Sequence, residues 1–360
     1  MQLYRRLPVR LRRSGLGRAG LAMVVAGGVC VALAGCGGAS GSSGNDGKGT
    51  LVIYSAQHPE TTAALVAAFT RQTGIQVQLK NDDEDVLTAQ IGQEGTRSPA
   101  DVFFTENSNW LQQLYDKGLL ANVDVSTLAR VPSRDNAANG RWLGVSGRFS
   151  VIIYNPSKIS ASQLPTSAMQ LADPRYKGKL ELAPAETDFW PIISSIIRAH
   201  GRQAALTWLQ GLKANAGSDD HTPDNETLVG DINKGDAGLG LINHYYFFRI
   251  RSEADAGSFH AKLAWFAPRD PGFVEDISAA GILKSAPHAA AAQKFLAFLV
   301  SRAGQTVIAH SASFEYPLVR GVAPNAALPP VSTLEPNPIT PAQIGTGTDA
   351  RDLLRQAGLI

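Results

Sequence analysis

Leu51-Val52-Ile53-Tyr54-Ser55-Ala56-Gln57-His58-Pro59-Glu60 decides how this chain is read. Four apolar residues in succession fit a strand buried on both faces. Pro59 and Glu60 suit the first turn of a helix, where a missing N–H costs little and a negative charge meets the positive end of the helix dipole. Ala64, Leu65, Ala68 and Phe69 then mark one helical face, Gly74 stops the helix, and Ile75 to Leu79 alternates as a second strand. Strand, helix and strand in such quick succession form a unit of a helix-covered α/β sheet.

The alternation continues along the chain. Asp101-Val102-Phe103-Phe104 reads as a strand, with Ser108 placed to cap the helix that follows. Ser150-Val151-Ile152-Ile153-Tyr154, Gly238 to Ile242 and Ile277 to Leu283 read as further strands. Helices are expected around Ile192 to His200 and Arg202 to Leu212, and a late one is marked by Ala292, Phe295, Leu296 and Leu299. There is no internal repeat. With 360 residues, 44% hydrophobic and 18% charged, the chain has the composition and length of two ordinary globular domains. The fold expected is α/β, built from two doubly wound domains.

Residues 1–35 stand apart. They carry Arg5, Arg6, Arg10, Arg12, Arg13 and Arg18 and no acid, followed by an apolar run from Ala19 to Ala34 that is short for a membrane span. This is the layout of a signal peptide. Its end, Leu33-Ala34-Gly35-Cys36, resembles a lipobox, which implies that Cys36 is lipidated and becomes the first mature residue. The other reading is an uncleaved anchor with a buried cysteine. Residues 36–49 form a Gly/Ser-rich tether without a large apolar side chain. Cys30 leaves with the signal, so the exported part has no disulfide. Without the six leader arginines, 27 basic residues face 31 acidic ones, a net charge of −4. That balance gives no reason to expect nucleic acid as a partner.

Chemistry concentrates in four stretches: Ser55-Ala56-Gln57-His58, Phe104-Thr105-Glu106-Asn107, Ser146-Gly147-Arg148 and Asn243-His244-Tyr245-Tyr246. Three of them follow apolar strands, and open α/β sheets bind ligands outside the carboxyl ends of their strands. The tandem tyrosine places two phenols at a strand end. Phenolate is a hard anionic oxygen donor. Two phenolates, one carboxylate and one neutral imidazole carry three negative charges, matching a ferric ion. A free phenol has a pKa of about 10, so only a strongly charged cation makes phenolate favourable near neutrality.

These stretches resemble the periplasmic ferric-ion-binding proteins, the substrate-binding subunits of iron ABC importers. So do Phe69 to Ile75, Pro99 to Phe103, Ala205 to Lys213 and Glu315 to Leu318, and the resemblance runs from about Leu51 to Ile360. It implies a two-lobed periplasmic-binding-protein fold with a hinge and two crossovers. Residues 50–148 and 276–326 would form the first lobe, and 149–275 and 327–360 the second. It implies Fe3+ held by His58, Glu106, Tyr245 and Tyr246, and delivery to an ABC permease with its ATPase. It further implies a monomer without enzymatic activity, anchored through Cys36 to lipid at the outer face of the membrane. Arg148 would lie near the cleft and a companion anion, with Asn225 and Asn243 as anion contacts.

Plainer readings exist for each residue. One tyrosine of a pair is commonly core and the other surface. His58 would fill a helix entry turn, Glu106 would favour a helix start, Arg148 would be a surface residue before a strand, and Asn225 and Asn243 would serve turns or helix starts. One stretch departs from the family pattern. Where relatives often have a small-residue loop whose amides hold a phosphate-like anion, this chain has Pro184-Ala185-Glu186-Thr187-Asp188-Phe189. Either the two acids only suit a helix start, or Glu186 or Asp188 takes the anion's place and faces the metal.

Two further clusters are read as non-functional. Asp82-Asp83-Glu84-Asp85 lacks the spacing of a calcium loop and reads as a solvated helix start, and Asp219-Asp220-His221 reads as a polar loop. The rival functions are the same fold binding an organic solute or oxyanion, such as a polyamine or thiamine, and a glycoside-cleaving enzyme using Glu186 and Glu106. No aromatic sugar platform supports the last.

Overall fold

The computed structural model describes residues 49–216 and 223–360. The leader, Cys36, nearly all of the tether and Asp219-Asp220-His221 lie outside the described residues. Strands β1 (Leu51–Ala56), β2 (Val77–Asn81), β3 (Val102–Thr105), β4 (Leu143–Tyr154), β5 (Leu180–Glu181), β6 (Leu239–Asn243), β7 (Lys262–Ala264), β8 (Glu275–Ile282) and β9 (Tyr316–Pro317) follow one another along the chain. Their spatial order is β2-β1-β3-β8-β4-β6-β5, with β7 and β9 also paired to β4. β1 runs parallel to β2 and β3, because helices α1 (Pro59–Thr73) and α2 (Glu84–Glu94) carry the chain back between them. β3 with β8 and β8 with β4 run antiparallel, so each winding is parallel only on its own flank.

β4 organises the molecule. Leu143 to Phe149 pairs with β8, and Ser150 to Tyr154 pairs with β6. One continuous strand therefore belongs to a first sheet (β2, β1, β3, β8 and the start of β4) and a second (the end of β4, β6, β5, with β7). This is the frame of a two-lobed α/β fold. From sequence only its second half reads as strand, since Gly144, Ser146, Gly147 and Arg148 have poor strand propensity. Pairing on both sides overrides that, and all twelve residues of the strand are buried. Gly144 is required, because a Cβ there would lie 2.3 Å from the Asp135 carbonyl oxygen, and the β8 register shifts at that point.

Each lobe has its own apolar core. In the first, Phe69 of α1 is fully buried and meets Phe295 edge-on at 5.2 Å between ring centres. Truncating such a ring typically costs about 3–5 kcal/mol. In the second, Val151, Ile153, Val229 and Ile232 pack under Tyr245 and Phe247. The C-terminal helix Thr348–Ala357 lies on helices Trp190–His200 and Arg202–Asn215, where Arg202 meets Asp349 at 2.8 Å. Among the described residues no helix is long and apolar enough to cross a membrane.

Helix ends mostly follow the sequence. Pro59 opens α1, and Gly74 closes it in the left-handed conformation at φ 74°, its N–H reaching the Thr70 carbonyl. Ser108 does not cap the third helix, α3 (Ser108–Asp116). It is the first helical residue, and Asn107 holds the cap position without a side-chain capping bond, because that side chain is drawn to Glu84 and Arg148.

Candidate metal centre

The four expected donors meet. His58 follows β1 in the turn into α1, and Glu106 follows β3 in the turn into α3. Tyr245 and Tyr246 are not at the strand end itself but in the first turn of the helix His244–Glu253, immediately after β6. His58 Nδ1 lies 3.3 Å from Glu106 Oε1. Tyr245 donates its phenol hydrogen toward Glu106 Oε2 at 3.3 Å, and its ring stacks on Tyr246 at 4.0 Å between centres. His58 meets the Tyr245 ring edge-on at 4.9 Å. Two donors thus come from the first lobe and two from the second, and both tyrosines are buried, contrary to the core-and-surface reading.

The tyrosines are aimed by their neighbour. His244 is fully buried and accepts the Phe149 N–H at Nδ1 (3.0 Å), so the hydrogen on Nε2 is given to the Phe314 carbonyl (2.9 Å). Burial pushes its pKa down to about 4, so it stays neutral and pins the helix start to β4.

The acidic loop reaches the same place. Asp188 is no N-cap: its Oδ2 receives the hydroxyl of Tyr246 at 2.9 Å and lies 3.3 Å from that of Tyr245, whose one hydrogen it shares with Glu106 Oε2. Its Oδ1 lies 3.3 Å from both Arg148 Nη2 and Asn107 Nδ2. Arg148 is no surface residue. It is 0% exposed, and besides Asp188 it contacts Asp276 at 3.1 Å, Glu315 at 3.3 Å and Asn107 at 2.7 Å. Glu186 occupies the residue before the one-turn helix Thr187–Phe189 without capping it.

Asn225 and Asn243 are buried but stay outside this hydrogen-bonded set. Asn225 opens helix Asn225–Lys234, which Asp224 caps, and shares a small cavity with Asp188. Asn243 precedes the tyrosine helix, and its Nδ2 has no partner.

The acidic run is misread in one residue. Asp82, Asp83 and Asp85 are exposed, but Glu84 turns inward. It accepts from the Asn107 N–H at 2.7 Å, Asn107 Nδ2 and Trp110 Nε1 at 2.8 Å each, Thr187 at 2.9 Å, and the Thr105 hydroxyl. No local signal distinguishes it from its neighbours, since all its partners are remote in sequence. Asp276 and Glu315, which neutralise Arg148, were missed for the same reason; Glu315 lay in a family-like stretch without an assigned role.

Electrostatics favour the protonated forms of the oxygen donors. Burial pushes both phenols well above 10, reinforced by Asp188 and Glu106. Burial also raises the Glu106 carboxyl well above its ordinary range, although Arg148 opposes it. His58 is pushed down to about 3, by burial first and then by Arg249 and Arg148, so its ring is neutral. Its Nε2 is buried without a partner. An orphaned nitrogen beside three oxygens whose pKa values are raised fits a cation whose binding displaces protons. Among the described residues no group of three or more His, Cys, Asp or Glu is arranged to hold a metal by itself. A cavity of about 620 Å³ opens onto Glu106 and Tyr246 and is lined by Asp82, Asp83, Glu84, Asp85, Glu186 and Glu226.

Comparison with known proteins shows the family. Residues 97–336 match the family described as bacterial extracellular solute-binding protein. The chain is 36% identical over 323 residues to the Fe(3+)-binding periplasmic protein of Serratia marcescens, covering 90% of this chain and 94% of the relative. Iron-bound HitA from Pseudomonas aeruginosa superposes with a TM-score of 0.81 at 38% identity, covering 86% of this chain and 99% of HitA. A Trichodesmium protein solved with iron and citrate superposes with a TM-score of 0.77 at 29% identity, covering 86% of this chain and 99% of that protein. The chain belongs to the bacterial extracellular solute-binding proteins, within their periplasmic ferric-ion-binding family.

Proposed function

We propose that this chain captures ferric iron outside the cytoplasm and delivers it to an ABC permease. The observation that carries the reading is the convergence of His58, Glu106, Tyr245 and Tyr246 from two lobes, with the His58 Nε2 buried and unpartnered. Ionised, the three oxygen donors carry the charge of Fe3+ and suit a hard cation. The donors face one another only when the lobes are together, so iron binds the closed state better and shifts the population toward it. The reading takes residues 50–148 and 276–326 as one lobe and 149–275 and 327–360 as the other; the change of β4 from β8 to β6 pairing, within one residue of that boundary, supports a hinge there. The acid-lined cavity disfavours an oxyanion as cargo. Nothing in this chemistry calls for catalysis.

Calorimetric titration with ferric nitrilotriacetate, spermidine and thiamine tests the reading. One ferric ion per chain and no heat from the organic solutes are expected. Binding of either solute without iron would replace it. Anchoring through Cys36 is a separate part of the proposal: Cys36→Ala should remove the lipid and release the protein from the membrane fraction. A lipidated Cys36→Ala protein would contradict it.

A further inference from the structure

Asp188 is left over by the four-donor reading, yet it lies at the point where both phenols converge. Its two oxygens have different tasks. Oδ1 is held by nitrogen donors, Arg148 Nη2 and Asn107 Nδ2, each at 3.3 Å. Oδ2 takes the hydroxyl of Tyr246 at 2.9 Å and lies 3.3 Å from that of Tyr245. When the phenols ionise they lose the hydrogens that face Oδ2. Three negative oxygens would then face one another in a buried site, and a cation among them relieves the repulsion.

We infer that Asp188 is a fifth donor to the ferric ion, and its fourth oxygen, held by Arg148, and that it makes an exogenous companion anion unnecessary. The inference rests on the ferric reading above. Glu106 and the two phenolates already match the ion, so another carboxylate needs a counter-charge beside it. Arg148, 0% exposed and permanently charged, lies 3.3 Å from Asp188 and shares its charge among Asp188, Asp276 and Glu315. The approach is also unsuited to an anion. The cavity leading in is lined by the exposed Asp82, Asp83 and Asp85, and Asp188 itself lies against the guanidinium, 3.3 Å from Arg148 Nη2. Glu186 is a wall of that cavity and not a donor, since it makes no bond to the phenols in the structure.

The test is equilibrium competition for ferric iron against nitrilotriacetate in bicarbonate-free buffer, with and without added phosphate, bicarbonate or formate. Visible absorption reads phenolate coordination. For the unmodified chain, each anion should change the affinity by less than about twofold. Asp188→Asn, which keeps size and removes charge, should lower it by at least about tenfold and shift the band. Asp188→Ala should lose as much and regain part of it with formate or bicarbonate, which fit beside Arg148. Unchanged affinity and band in Asp188→Asn would overturn the inference, as would a strong requirement for an added anion in the unmodified chain. Thermal melting of the iron-free proteins separates a folding defect from a binding one. Absence of any iron-dependent band in the unmodified chain would instead refute the ferric reading itself.

Discussion

Glu84 accepts the hydroxyl hydrogen of Thr187 at 2.9 Å, joining α2 of the first lobe to the turn that carries Asp188 in the second. The other donors to Glu84 all come from the first lobe, so its carboxylate is fixed in advance. Asn107 makes the same crossing, 3.2 Å from Thr187 Oγ1 and 3.3 Å from Asp188 Oδ1. The closed cleft therefore has a latch besides the cargo.

Thr187→Val keeps the shape and deletes both latch bonds of the hydroxyl, the one given to Glu84 and the one accepted from Asn107. One hydrogen bond is typically worth about 0.5–1.5 kcal/mol net. Iron release to excess EDTA, followed by stopped flow, should accelerate about two- to tenfold with the visible band unchanged. An unaltered release rate would show that the Glu84–Thr187 bond does not hold the lobes together.

Arg148 should be the most costly single residue in the site region. Arg148→Met leaves Asp188, Asp276 and Glu315 without their shared counter-charge, and breaking a buried pair typically costs about 3–5 kcal/mol. The Asp276 carboxyl is already pushed up to about 7 by burial, against Arg148. Without the arginine its folded pKa rises further, so the variant's stability loss should grow from pH 5 to pH 8. Urea unfolding of the iron-free protein at both values measures this; an equal, small loss at each pH would contradict it.

Iron affinity should climb steadily with pH. An ordinary histidine ligand, with a pKa of about 6.5, would put a break near that pH. The structure moves it, because His58, pushed down to about 3, does not hold a proton in the neutral range. Glu106, Tyr245 and Tyr246 are raised, which favours their protonated forms, and each must give up its proton to bind iron as an anion. Chelator competition at pH 5.5, 6.5 and 7.5, corrected for the chelator's own protonation, should show up to about three protons released per ion. A plateau above pH 6 would identify His58 as the controlling group instead.

Glu186 offers a test confined to stability. Burial, then Asp188, Glu226 and Asp224, push its carboxyl from 4.5 up to about 8. The folded state binds this proton more tightly than the unfolded one, so stability falls as pH rises from about 4.5 to 8 and is level beyond. Glu186→Gln should raise the Tm of the iron-free protein at pH 8.5, leave it nearly unchanged at pH 4, and spare iron binding. A lower Tm at pH 8.5 would reverse the assigned cause.

The legible part of the molecule was the part set by short-range rules. The apolar runs of β1, β3 and β6 were readable, and the turns after them carry His58, Glu106 and the tyrosines, because open α/β sheets expose their ligands there. The first half of β4 was not readable, since its glycines and serine favour no strand until β8 and β9 pair with it. The polar shell was equally hidden. Arg148 meets Glu315 across 167 residues and Asp276 across 128, and Glu84 is distinguished from Asp83 and Asp85 only by the fold. The choice between helix start and metal-facing group for Glu186 and Asp188 needed the backbone, which turns Asp188 to the phenols and leaves Glu186 at the cavity wall.

Titration of the iron-free protein with ferric nitrilotriacetate, monitored by visible absorption, tests the central claim most directly. A broad band should grow to one ferric ion per chain, and Tyr245→Phe and Tyr246→Phe should each weaken or shift it, because phenylalanine keeps the ring and removes the donor. An identical band and affinity in both variants, or no band in the unmodified protein, would contradict coordination of iron by the paired phenols.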